Sequence, residues 1–251
     1  MNIHATLDKK SARPHLLMCP PRHFAVTYSI NPWMDPLSWA DRGGNLHGEA
    51  QRQWDGLRDA LTAAGALVET IDPTPDLPDL VFTANAAVVL NRKLVLSRFR
   101  YPERQKEEAI FAAAFAALSE RGVVDDVCQL PPGVILEGAG DCIWDARRRL
   151  FWLGCGFRSD ASAASFLTQQ LGRLALTLPL AQPRFYHLDT ALCVLPCGTL
   201  MYHPEAFTPA AQATINAHVA PEHRIALDRA DAKRFAANAV CVHDTIVLSS
   251  C

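Results

Sequence analysis

Val134-Ile135-Leu136-Glu137-Gly138-Ala139-Gly140-Asp141-Cys142-Ile143-Trp144 is the stretch that decides how the rest of the chain is read. Apolar residues lead to an acid, a glycine-rich turn brings a second acid, and an apolar run resumes. A turn near Arg147-Arg148 precedes another strand, Leu150-Phe151-Trp152-Leu153. A helix is then expected from about Ala161 to Leu171, with Asp160 as N-cap and Gly172 as terminator.

The same order recurs on both sides. Upstream, Leu80-Val81-Phe82-Thr83-Ala84-Asn85 continues into Ala86 to Leu90, turns at Asn91-Arg92, and returns as Lys93 to Ser97. A helix from about Pro102 to Arg121 and a strand from Val123 to Cys128 follow. Downstream, Phe185-Tyr186-His187-Leu188-Asp189-Thr190 leads through Ala191 to Leu195, a turn at Pro196 to Gly198, and Leu200-Met201-Tyr202. A helix from about Pro209 to Val219 and a strand from Arg224 to Leu227 complete it. The starts lie about 50 residues apart, the spacing of a propeller-like array or closed ring. Each unit reads as ββαβ, and short strands alternating with amphipathic helices place the fold in the α/β class.

Two partial units flank these three. Phe24 to Ile30 reads as a strand, Glu49 to Ala64 as a helix and Leu67 to Ile71 as a strand; near the end, Ala239 to Val242 and Thr245 to Leu248 form a hairpin. By the size of its neighbours the fifth unit is incomplete by roughly 30–45 residues. Residues 1–14 read as a flexible tail and 15–251 as one domain.

Composition excludes several functions. With net charge -2, there is no cationic excess to neutralise a phosphate backbone, so nucleic acid is not expected as a partner. No apolar run approaches the roughly 20 residues of a membrane span, and the N-terminus has no apolar signal core. The eight cysteines form no CxxC pair, and Cys193 and Cys241 sit inside apolar runs, as small buried hydrophobes do. A disulfide framework is not expected, and the compartment reads as reducing and cytoplasmic.

The polar clusters carry the chemistry. Asn31, Asp79, Asn85, Glu137, Asp141, His187, Asp189 and Asn238 fall at equivalent places in the units, so units around an axis would bring them together. Carboxylates accept the forked N–H groups of a guanidinium in pairs, and a His beside Asp can move protons. Arg98 and Arg158, just past the second strands, could hold a carboxylate. Singly, an Asp or Asn here also suits a turn or cap, His187 a satisfied core position, and the arginines solvent. The acid ahead of Gly138-Ala139-Gly140 suggests close approach of a ligand. A metal held by His187, Asp189, Glu137 and Asp141 is the competing chemistry, but no HxxxH, HExxH or CxxC spacing supports it.

Phe82-Thr83-Ala84-Asn85, Glu137-Gly138-Ala139-Gly140-Asp141 and His187-Leu188-Asp189-Thr190 resemble the motifs of the guanidine-modifying enzymes, over about residues 15 to 251. That superfamily has the pentein fold, an α/β propeller of ββαβ units around a pseudo-fivefold axis. Met18-Cys19-Pro20-Pro21, Tyr28 to Met34, Ser97-Arg98-Phe99-Arg100 and Glu103-Arg104-Gln105 look most like the arginine dihydrolase branch. The resemblance implies hydrolysis of free arginine to ornithine, carbon dioxide and ammonia, without metal or organic cofactor. Dimethylarginine hydrolysis, deimination, amidino transfer and non-catalytic binding of a guanidino compound are the alternatives; homo-oligomerisation is left open. His187 would be the general acid/base and Glu137 would orient the guanidinium. Asp79, Asn85 and Asp189 would line its pocket, Asn31 would shape it, and Arg98 and Arg158 would bind the α-carboxylate. Deiminases carry Asp where this chain has Asn85, a change that suits a neutral ureido group. The resemblance places the thiolate nucleophile in a glycine-rich turn after the fifth unit's last strand. Cys251 falls instead at the end of a second strand, so the nucleophile is expected to be absent and the chain, read as a truncation, to have little hydrolase activity.

Overall fold

A computed structural model describes residues 13–249. Three sheets have the same construction, an antiparallel hairpin whose second strand also pairs in parallel with a third strand beyond a helix. β3 (Ala87–Leu90) and β4 (Lys93–Leu96) are followed by α2 (Pro102–Gln105), α3 (Glu107–Glu120) and β5 (Asp126–Cys128). β6 (Cys142–Asp145) and β7 (Leu150–Cys155) are followed by α5 (Ala163–Leu171) and β8 (Ala175–Pro179); between these units lies the one-turn α4 (Gly138–Asp141). β9 (Leu192–Val194) and β10 (Leu200–Tyr202) are followed by α6 (Pro209–His218) and β11 (Arg224–Ala226). Two smaller sheets complete the α/β fold. β1 (His15–Met18) pairs in parallel with β2 (Leu67–Thr70) across the long α1 (Pro36–Ala63). After α7 (Arg229–Lys233), β12 (Val240–Val242) and β13 (Thr245–Val247) form a hairpin.

Local chemistry explains several of these elements. Asn91 and Arg92 both take positive φ, 50° and 67°, which matches the right-handed twist of a two-residue hairpin turn. Asp35 caps α1 by accepting from the backbone N–H groups of Leu37 and Ser38, and Pro36 fills the first turn. In the central unit, β7 is buried along its whole length, and Phe151, Trp152 and Leu153 have no exposed surface. The outer sheets share a core, in which Met18, Trp54, Leu61 and Ala66 pack with Val242.

Four expectations need correction. The polar motifs do not end a first strand. Pro78–Val81, Thr83–Asn85 and Leu188–Thr190 are 3₁₀ turns and 138–141 is a helical turn, each placed before its hairpin. Residues 24–30 form no strand; β1 lies upstream at His15–Met18. Helix α1 starts thirteen residues before the expected Glu49, because the Asp35–Pro36 cap outweighs the low helix propensity of Gly44 and Gly48. Asp160 does not cap α5. Its carboxylate accepts from Arg100 Nη2 at 2.5 Å and from the Ile135 N–H at 3.1 Å. Residues 13 and 14 are held against the body of the fold: Leu67 N–H donates to Pro14 O at 2.8 Å, and Arg13 donates to the carbonyls of Gly65 and Ala66. Residues 1–12, Ser250 and Cys251 lie outside the described residues.

Candidate active site

Three helical turns meet at one place: Thr83–Asn85, Gly138–Asp141 and Leu188–Thr190. Glycine permits the meeting. Gly138 has φ +62°, and a Cβ there would stand 2.6 Å from the Asn85 carbonyl carbon and 2.7 Å from Ala84 O. A Cβ on Gly140 would run into the Asn85 amide nitrogen. The glycine-rich turn thus admits a neighbouring turn of the protein, where sequence pattern alone suggested a ligand.

Glu137 is fully buried, and each of its carboxylate oxygens accepts one hydrogen bond. Its Oε1 accepts from the Arg100 N–H at 3.1 Å and its Oε2 from Arg158 Nη1 at 2.9 Å. Its own N–H donates to Ser159 Oγ at 2.9 Å, and Ser159 Oγ donates to Asp141 Oδ2 at 2.6 Å. Asp141 Oδ1 accepts from the Leu188 N–H at 3.1 Å, which fixes the start of the third turn.

His187 sits in the middle. Its Nε2 is 3.4 Å from Glu137 Oε2 and 3.4 Å from Asn85 Nδ2, an acceptor on one side and a donor on the other. Its Nδ1 is 3.1 Å from Asp141 Oδ1 but off the axis of a hydrogen bond, so this buried nitrogen has no hydrogen-bond partner. The amide orientation of Asn85 follows from its neighbours. Arg104 Nη1, a donor only, is 2.9 Å from Oδ1, and Nδ2 donates to Glu137 O at 3.1 Å.

Behind Asn85 lies a second buried cluster. Arg104 forks onto Glu107 at 3.0 and 2.8 Å and stacks over Phe99. Asp79 is 4.0 Å from Arg104 Nε and accepts from Tyr28 OH at 2.9 Å. Burial raises the Asp79 and Glu107 carboxyls above the ordinary range; Arg104 opposes the rise in both. Asp189 is pushed up to about 6, chiefly by burial, with His187 opposing and Asp141 adding to the shift. A cleft of about 740 Å³ opens on the Tyr28–Pro78 side of this cluster.

The structure brings Asn85, Glu137 and His187 together, with Asp79 one shell away. Asp189 is half-buried beside Asn238, whose Nδ2 donates to Asp189 O at 3.3 Å. Asn31 does not reach the cluster by its side chain; its Oδ1 caps the Trp33 N–H at 2.9 Å. Trp33 in turn donates from Nε1 to Arg184 O at 2.7 Å and packs on Phe235. Arg98 is elsewhere. Its guanidinium is tied to the carbonyls of Leu130, Pro131 and Val134, so it braces a loop. Arg158 is in the cluster but engaged, donating to Glu137 and to Ile30 O at 3.1 Å between the rings of Tyr101 and Tyr186. Sequence reasoning passed over the roles of Ser159, Glu107, Tyr101 and Tyr186, which carry no motif. Arg104 stood in Glu103-Arg104-Gln105, where the i,i+3 spacing to Glu107 was a usable signal. Among the described residues, no three His, Cys, Asp or Glu side chains are placed to hold a metal ion. No helix among them is long and apolar enough to cross a membrane.

A buried His between a carboxylate and an amide, on turns set between small three-stranded sheets, is the arrangement that the resemblance to the guanidine-modifying enzymes leads one to expect. A family model described as "N,N dimethylarginine dimethylhydrolase, eukaryotic" matches residues 25–242, and the chain belongs to that family. It is 41% identical over 238 residues to the bifunctional arginine dihydrolase/ornithine cyclodeaminase ArgZ of Synechocystis sp., covering 93% of this chain and 32% of ArgZ. It is 38% identical to the N(G),N(G)-dimethylarginine dimethylaminohydrolase of Mycobacterium tuberculosis, covering 92% of this chain and 71% of that protein. The crystal structure of the N-terminal domain of ArgZ, a Cys-to-Ser mutant bound to substrate, superposes with TM-score 0.83 at 39% identity, over 92% of this chain and 82% of that one. The chain spans about a third of the length of ArgZ.

Proposed function

We propose that the protein to which this chain belongs hydrolyses the guanidinium group of free arginine, giving ornithine, carbon dioxide and ammonia. The observation that carries the proposal is His187 Nε2, held 3.4 Å from both Glu137 Oε2 and Asn85 Nδ2 in a buried site. Similarity to an arginine dihydrolase over 93% of the chain supports the substrate.

The roles follow from donor and acceptor character. Glu137 is the acceptor for a planar cation, and His187, beside it, takes and returns protons as ammonia leaves and water enters. Asn85 presents an N–H, which a guanidinium cannot use but the oxygen of a ureido intermediate can. That donor favours a second hydrolysis over release of citrulline. Attack on the guanidinium carbon belongs to a thiolate. Burial raises the thiols of Cys19 and Cys155 to about 11 and that of Cys142 well above its ordinary value, so these are poor nucleophiles. Cys251 is the one cysteine outside the described residues. The five sheets are read as blades of one domain around a pseudo-fivefold axis, supported by the repeated unit and by Trp33, which joins the chain near β1 to residues 184 and 235. A cytoplasmic setting fits a free amino acid as substrate.

Incubation of the protein with arginine labelled with ¹⁵N at the two terminal guanidino nitrogens tests this reading. Labelled ammonia and unlabelled ornithine are expected, with His187→Ala abolishing both. Accumulating citrulline would make the chain a deiminase. Bound arginine without turnover would leave a binding protein.

A further inference from the structure

Cys193 lies on β9 and Cys241 on β12, strands of different sheets, 48 residues apart in sequence. Each thiol reaches a carbonyl on the other's strand or its approach: Cys193 Sγ donates to Ala239 O at 3.9 Å, and Cys241 Sγ to Val194 O at 3.8 Å. These two reciprocal contacts bring the thiols onto facing backbone segments, where each perturbs the other. Cys193 is 6% exposed, whereas Cys241 is half-buried and can be reached from solvent.

We propose that Cys193 and Cys241 form a modification site, a dithiol that closes to an intramolecular disulfide when it meets a low-molecular-weight disulfide such as oxidised glutathione. The steps balance. The Cys241 thiolate attacks one sulfur of the oxidant, giving a mixed disulfide and releasing one glutathione thiolate. Cys193 then loses its proton and attacks Cys241 Sγ, and the second glutathione thiolate leaves. Two protein thiols are oxidised, and one glutathione disulfide is reduced to two thiols.

The order of attack follows from the surroundings. Cys241 is the more accessible of the two and its thiol lies below the ordinary value, whereas the neighbouring thiol and burial raise Cys193. Cys241 is thus the accessible nucleophile and Cys193 the buried resolving thiol. Cys19, Cys142 and Cys155 are buried, and no other thiol perturbs them. The crosslink would tie β9 to β12. Four residues before Cys193 and three before Cys241, Asp189 and Asn238 already make a hydrogen bond, so the tie lies next to the candidate site.

The test is peptide mapping by mass spectrometry after exposure of the folded protein to oxidised glutathione. Cys197→Ser serves as background, since Cys197 is exposed and its thiol lies below the ordinary value. A peptide pair joined through 193 and 241, with the loss of two hydrogens, is expected. In Cys241→Ser, Cys193 should stay reduced and at least tenfold slower to react. Mixed disulfide that persists on Cys241 with Cys193 free would overturn the proposal, as would joining of either residue to another cysteine. Should Cys241→Ser fold poorly, Cys193→Ala gives the same decision: Cys241 must then stop at the mixed disulfide.

Discussion

Two glycine-bearing stretches look alike as sequence: Gly138-Ala139-Gly140 after Glu137, and Gly43-Gly44 with Gly48 inside α1. In the structure they differ. At Gly138 an added Cβ would be 2.6 Å from the backbone of Asn85, whereas at Gly44, Gly48 and Gly56 nothing lies within 4 Å. The first stretch is glycine because two turns must touch for Asn85, Glu137 and His187 to share a site. Gly44 and Gly48 are glycine with no packing reason in their surroundings. Close approach, and not glycine content, separates a functional turn from an ordinary helix here.

Breaking the first stretch should cost most where charge is buried. Arg158→Met would leave Glu137 buried beside no full cation partner of its own. A loss of about 3–5 kcal/mol in urea unfolding is expected. Gly138→Ala combines the positive φ with the backbone contact, and should cost about 2–4 kcal/mol. A loss as small as that of a surface substitution would mean the two turns can separate freely.

A pH measurement sharpens the comparison. Asp189 is held at about 6 in the folded protein, above the unfolded carboxylate near 3.9. The folded state therefore binds the proton more tightly. The Asp189 contribution to stability is full below about pH 4 and is lost as pH rises through about 6. Asp189→Asn should flatten that fall when urea midpoints are compared at pH 4 and pH 7. An unchanged pH dependence would remove Asp189 from the account. The smallest effect is on the helix. Gly48→Ala should stabilise the protein by about 0.5–1 kcal/mol, from helix propensity alone.

The repeat was legible because hairpin turns and helix ends carry local signals, such as Asn91-Arg92 and Gly172, which takes the left-handed cap that ends α5. Glu137 and His187 were legible as motif residues. The strand expected at Leu80–Asn85 was not there, because apolar residues inside 3₁₀ turns give the same pattern as a short buried strand. Arg98 misled for another reason. Sequence places an arginine near a site, but only geometry shows that the carbonyls of Leu130, Pro131 and Val134 already occupy its donors. The opposite holds for Ser159. Its hydroxyl links Glu137 to Asp141, yet a lone serine after Arg158 carries no signal.

The central claim is that the buried Glu137 carboxylate receives a guanidinium. Calorimetric titration with arginine tests it directly, comparing the protein with Glu137→Gln, which preserves shape and removes the charge. One site per chain is expected in the unsubstituted protein. Loss of a charge-assisted hydrogen bond of about 1.5–3 kcal/mol should weaken the variant by roughly 10- to 150-fold. Equal affinity in the two proteins, with the Glu137→Gln fold intact by circular dichroism, would contradict the account.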